Sequence, residues 1–321
     1  MIEYKDGIHL KKTDLWFDSK RKAPLSFISS AGFNKFGSHK KIIATPQTIR
    51  LLGKRIRDSV VLPCPFNRPF SLGRVQVELL PSGSMLGASQ ILVDFDGKRI
   101  GYTGDLNLRS SETSDQVLPM HCDILVMKCT YGSPNHIFPP AEEVIESIRA
   151  FIDDSFSSGY APVLLVNHLG SAQDLAKVLG QGGYELSLHK SIFDVIKIYE
   201  EFGIGFLNYE SFDPMKIEKK VILLPLFARD SDTLEGIEDK RLGVVTGWAL
   251  DRVSVKSAFR ADEAFPLSNH SGFDELISYV EIVKPSEVYV VNGFSVEFSM
   301  SLIRRGFDAK PLETPSQLKL L

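Results

Sequence analysis

The sequence predicts an α/β fold, and three features carry that expectation. The continuous apolar runs DILVM (123–127), PVLLV (162–166) and VILLPL (221–226) have the length of strands buried on both faces. Segments with apolar residues at helical spacing lie between and after them. The first 110 residues read instead as short strands and tight turns.

Taken in chain order, SFISSAGFNKFGSHKKIIATPQT (26–48) places a buried strand, Phe27-Ile28-Ser29, before a polar loop. RVQVELL (74–80) alternates as a half-buried strand does. SQILVDFDGKRIGYTG (89–104) reads as a hairpin turning at Asp96-Gly97. AEEVIESIRAFIDDSF (141–156) puts Val144, Ile148, Phe151, Ile152 and Phe156 on one helical stripe. SIFDVIKIYEEFG (191–203) has Ser191 as N-cap and Gly203 as its stop. FDELISYVEIV (273–283) repeats the helical pattern and gives way to Pro285 and the strand VYVV. ARDSDTLEGIEDKR (228–241) is expected to be a surface loop. Trp248 reads as a core residue near a domain junction.

The bulk properties exclude several classes. The chain has 321 residues, 43% hydrophobic and 24% charged, which is ample for a large core. A net charge of −3 and a sequence pI of about 6.2 leave nucleic-acid binding to a local patch. Cys64, Cys122 and Cys129 lack regular spacing and read as buried thiols in a reducing compartment. The polar start and the lack of an apolar run near the roughly 18 residues of a membrane helix suggest a cytoplasmic protein with no membrane partner.

Segments in order along the chain resemble the metallo-β-lactamase fold, in its nuclease branch with an inserted β-CASP domain. WFDSKRKAPLSFISSA with IIATPQT, PSGSMLGASQILVDFDGKRIGYTGDLN, DILVMKCTYGSP, PVLLVNHLGSAQDLAKVL, VVTGWALDR and FPLSNHSGFDELISYVEIVKPSEVYVVNGF carry the resemblance. It is nearest to the short exonuclease-like proteins of ligase-associated DNA repair or RNA processing. It implies a metallo-β-lactamase αββα sandwich from 1–140 and 263–321, with a β-CASP-like α/β insert at 141–262 over its mouth.

The resemblance also implies where metal ligands would stand. The first loop of such nucleases carries His-x-His-x-Asp-His around two zinc ions with a bridging water. Those positions hold Ser30, Gly32, Asn34 and Lys35 here. Ser84 replaces the histidine of the second motif, Lys128 an acidic residue, and Asn292 the last histidine. Asp105 and His270 are retained. Serine, glycine and an ammonium do not supply zinc donors, so no cofactor is expected.

This points to a catalytically degenerate nuclease homologue, leaning away from an enzyme, that acts as a non-catalytic subunit or scaffold in nucleic-acid processing. Its partner would be an active nuclease paralogue, a helicase or ligase-type machinery. The alternative is a residual hydrolase rebuilt around Asp105 and His270, which would take up zinc. A third reading is a nucleic-acid-binding module without partners, with salt-sensitive binding.

Each single residue keeps two readings. Asp105 is a weak metal ligand, or a turn residue paired with Lys35 or Lys128. His270 is a general acid or lone ligand, or a cap of the following helix. His168, Gly170, Ser171 and Gln173 form a phosphate site at a helix start, or an ordinary strand-to-helix turn. His39 with Lys40 and Lys41 contacts phosphate or lies on a solvated face. The electrostatic expectation is specific: without metal, Asp105 needs an ammonium or amide partner, from Lys35, Lys128, Asn34 or Asn292.

Overall fold

The computed structural model describes residues 1–33 and 37–313. Asn34 and Lys35, named above, lie outside the described residues. The chain forms two compact units, one from 1–137 with 270–321 and the other from 138–269.

The first unit opens with strands β1 (Ile2–Tyr4), β2 (Ile8–Leu10), β3 (Leu15–Phe17), β4 (Leu25–Phe27) and β5 (Lys41–Ala44). Helix α1 (Pro46–Leu52) and strand β6 (Val60–Pro63) follow. Then come β7 (Phe70–Leu72), β8 (Val75–Pro81), β9 (Ser89–Phe95), β10 (Lys98–Tyr102) and β11 (Ile124–Lys128). The second unit runs α2 (Ala141–Ser157), β12 (Ala161–Val166), α3 (Ser171–Gln181), β13 (Leu186–Leu188), α4 (Lys190–Glu201) and β14 (Tyr209–Ser211). It continues with β15 (Val221–Pro225), α5 (Asp232–Glu235), β16 (Lys240–Val245), α6 (Arg252–Phe259) and β17 (Glu263–Phe265). The chain returns to the first unit with α7 (Phe273–Val283), β18 (Glu287–Val291), α8 (Ser295–Ile303) and β19 (Ala309–Pro311).

Two sheets build the first unit, in the orders β1-β2-β3-β4-β5-β6 and β19-β18-β11-β10-β9-β8-β7. Phe17, Phe27 and Ile43 of the first sheet share one core with Val77, Ile91, Val93 and Tyr102 of the second. The other face of the second sheet, including Leu125, Met127 and Val290, packs against Leu276, Val280, Phe298 and Leu302 of α7 and α8. This explains why β11 reads as a continuous apolar run and β8 as an alternating one; β9, expected to alternate as a hairpin arm, is more fully buried than that. Five consecutive residues are buried in β9 and all five in β11, while β8 alternates from Val75 to Pro81. The hairpin turns at Asp96 and Gly97 with φ of 48° and 74°, the pair of left-handed residues that matches strand twist.

The second unit has its own sheet, ordered β14-β13-β15-β12-β16-β17 and wholly parallel. Val163, Leu165, Ile222 and Leu224 centre one of its cores. The α2 stripe is buried at Val144, Ile148, Phe151 and Ile152, with Ser155 in place of the half-exposed Phe156.

Three local expectations need correction. Helix α4 is capped by His189, not Ser191; the His189 side chain accepts the Ser191 N–H at 3.1 Å. The 228–241 stretch is not a plain surface loop. Ser231 caps the short α5, and Leu234 and Ile237 are buried. Helix α7 is capped at Gly272, whose N–H donates to Glu275 at 2.7 Å, so His270 is not its cap.

Candidate functional site

The site lies where the second sheet ends. Strand β10 stops at Tyr102, and Gly104, with φ of 58°, turns the chain so that Asp105 follows. A side chain at 104 would place its Cβ 2.6 Å from Ser29 Cβ, so only glycine fits this close approach. The neighbouring β11 pairs in parallel with β10 and ends at Lys128.

Register thus brings two distant residues together. The Lys128 ammonium donates to Asp105 Oδ2 at 2.7 Å, and His270 Nε2 stands 3.5 Å from Oδ1. The Lys128 and Asp105 side chains are 7% and 14% exposed, so water screens the pair weakly. Burial pushes the Asp105 carboxyl up; Lys128 and His270 together outweigh it and hold the carboxyl well below the usual range. Burial alone lowers Lys128, while Asp105 and then Asp18 raise it above its ordinary value.

Asp18, which sequence reasoning missed, is the second buried carboxylate of this network. It accepts the Ser29 N–H at 2.9 Å, the Ser29 hydroxyl at 2.6 Å and the Tyr102 hydroxyl at 2.7 Å. Burial raises its carboxyl above the ordinary value, against the opposing pull of Lys128 and these hydrogen bonds. An acidic residue directly after the apolar strand β3 was the available signal. Arg109 was also missed. It donates to the His270 carbonyl at 2.5 Å and lies 3.7 Å from Glu275. Leu108 N–H to Ser271 Oγ at 2.9 Å and Ser271 N–H to the Leu106 carbonyl at 2.7 Å join the same two loops.

The other first-unit positions have contacts of their own. Ser30 and Ser84 are buried, and Ser84 Oγ lies 3.4 Å from Ser82 Oγ. Gly32 is open enough that a Cβ would meet nothing nearer than 3.5 Å. Asn292 has a left-handed φ of 60°, its N–H donates to Glu313, and its carbonyl accepts the Cys129 thiol at 3.1 Å. Zinc does not fit these residues: Asp105 Oδ2 is engaged by an ammonium, and the serines and glycine are poor donors. Among the described residues, no group of three or more His, Cys, Asp or Glu could hold a metal ion.

His168, Gly170, Ser171 and Gln173 lie in the second unit. Gln173 folds back, accepting the Gly170 N–H at 2.7 Å and donating to the His168 carbonyl at 3.1 Å. The backbone N–H groups of Ser171, Ala172 and Gln173 also have carbonyl partners. This is a self-satisfied helix start.

His39 is 2% exposed and accepts the Ala23 N–H at 3.2 Å, so it is a core histidine. Cys64 and Cys129 are buried free thiols, whereas Cys122 is only half-buried. Burial pushes Cys64 up to about 11 and Cys122 to about 12.

The fold is mixed α/β, consistent with the metallo-β-lactamase-type fold that the sequence resembles. A protein of unknown function from Enterococcus faecalis V583 shares the fold, with a TM-score of 0.61 and 12% identity over 91% of this chain and 79% of that one. No protein-family model matches the chain. In sequence it is similar to a probable DNA ligase of Opitutus terrae, 30% identical over 99% of this chain and 32% of the relative. It also resembles an RNase J-like protein of Methanocaldococcus jannaschii, 30% identical over 33% of this chain and 25% of that protein. The DNA cross-link repair protein SNM1 of Arabidopsis thaliana is 21% identical over 80% of this chain and 57% of its own length. The chain therefore spans from a quarter to just over half of these relatives. Among the described residues no helix is long and apolar enough to cross a membrane.

Proposed function

We propose that this chain is a nucleic-acid-processing protein of the metallo-β-lactamase/β-CASP nuclease type in which an internal ion pair replaces the metal centre. It works as a non-catalytic binding subunit in DNA repair or RNA processing. The observation that carries this reading is the Lys128 ammonium, 2.7 Å from Asp105 and almost fully buried. It supplies the positive charge a cation would supply, but it cannot activate a water as zinc does. The names of the relatives support nucleic acid as the substance handled. In the Opitutus terrae relative, the stretch matching this chain shares one polypeptide with about twice as much other sequence. That arrangement supports a ligase-type partner ahead of an active nuclease paralogue or a helicase.

The test measures zinc by elemental analysis and, on the same preparation, binding and cleavage of single- and double-stranded DNA and RNA with zinc or manganese added. The expected result is well under one zinc per chain, with binding and no metal-dependent cleavage. Stoichiometric zinc lost on replacing Asp105 or His270, together with cleavage, overturns the proposal and establishes the residual hydrolase.

A further inference from the structure

A second site lies in the first unit, at the end of the two-sheet sandwich opposite Asp105. Ser29, Ser30 and Thr45 follow the C-terminal ends of β4 and β5, and Asp105 follows that of β10. At the other end, the β2–β3 turn and the starts of β4 and β5 meet the β7–β8 turn and the end of β9. They line an open cavity of about 390 Å³.

Its chemistry is specific. Lys12, Lys41 and Arg74 line it, against one carboxylate, Asp14. None of these three cations has an ion-pair partner among the described residues. An exposed charge left unpaired is ordinary, but three converging on one cavity raise its potential for anions well above that of the chain as a whole, whose net charge is −3. The backbone adds a second observation. Lys12 sits at φ 66°, a conformation that favours glycine or asparagine, and the turn nonetheless presents an ammonium there. The Arg74 guanidinium lies 5.7 Å from the Phe95 ring centroid, within cation–π range, so an aromatic ring holds this cation at the cavity. Leu25 supplies apolar wall between the charges.

We propose that this cavity binds a phosphomonoester of mononucleotide size, a nucleoside monophosphate that is either free or the phosphorylated end of a strand. The volume is in the range of small-ligand sites and exceeds what a bare phosphate fills. A dianionic phosphate answers three cations better than a carboxylate does. The planar guanidinium and the apolar wall receive the base, as arginine planes do in nucleic-acid recognition.

The test is calorimetric titration of the full chain with AMP, adenosine and inorganic phosphate. It is repeated on Lys12→Gly, Arg74→Gln and the double variant, with the melting temperature of each recorded. Lys12→Gly suits the local backbone, so it removes a charge without stressing the fold. AMP is expected to bind roughly tenfold or more tightly than adenosine or phosphate, and each variant to weaken AMP roughly tenfold at unchanged melting temperature. No AMP binding at millimolar concentration, adenosine matching AMP, or native affinity in the double variant would each overturn the proposal. Competition between AMP and a 5′-phosphorylated dinucleotide assigns the ligand to a strand end, and absence of competition assigns it to a free nucleotide.

Discussion

Asp105 and Lys128 form a buried pair whose value is asymmetric. Forming it recovers little more than the desolvation of both groups, whereas removing one partner strands the other. Lys128→Ala is expected to cost about 3 kcal/mol in urea unfolding, because Asp105 is left buried without its ammonium, with only His270 3.5 Å away. A paired Lys128→Met, Asp105→Leu replacement is expected to recover most of that loss. The pH dependence follows from the directions of the shifts. Asp105 is depressed in the folded state, so its contribution is complete above about pH 4 and lost as pH falls through the folded value. Lys128 is raised, so its contribution is complete below about pH 10.4 and lost as pH rises through its folded value. Urea midpoints across an acid pH series should fall in the native chain, and the part of that slope due to Asp105 should shrink in Lys128→Ala. Asp18 is raised, so it favours folding at low pH and partly offsets the acid limb.

Local elements place these residues, and two of them make separate predictions. The Gly104 turn delivers Asp105 beside β11. Gly104→Ala adds a Cβ 2.6 Å from Ser29 Cβ in a left-handed conformation, and is expected to cost about 2–4 kcal/mol in equilibrium unfolding. The α4 cap depends on a neutral imidazole, because His189 Nδ1 accepts the Ser191 N–H. Burial lowers the His189 value, so the cap is intact above about pH 6.5 and is lost as pH falls through the folded value. His189→Ala should cost about 1 kcal/mol at pH 8, and His189→Asn should retain the cap while removing its acid sensitivity. Chemical denaturation of the three proteins at pH 8 and pH 5 tests both statements.

At the scale of the whole molecule, the chain leaves and re-enters one unit while building the other from a single continuous stretch. The strands of the second unit pair among themselves, and its core at Val163, Leu165, Ile222 and Leu224 is its own. A fragment of residues 138–269 is therefore expected to unfold cooperatively by itself, with an α/β circular dichroism spectrum. A non-cooperative thermal profile would show that this core is insufficient.

The sequence alone determined the elements whose causes are short-ranged. Apolar runs became β11, β12 and β15, the helical stripes became α2 and α7, and Asp96-Gly97 became a hairpin turn. Asp105, Lys128 and His270 could be singled out in the sequence, at positions implied by a resemblance. Tertiary structure decided which of them met. Asp18 and Tyr102, bonded through 2.7 Å, stand 84 positions apart, and Lys128 and Asp105 stand 23 apart. No local propensity encodes such a pairing; it follows from strand register and from the expense of leaving a buried charge alone. The same holds for the cations Lys12, Lys41 and Arg74, which are scattered in sequence. They share a cavity only because three turns and strand starts reach one end of the same sandwich.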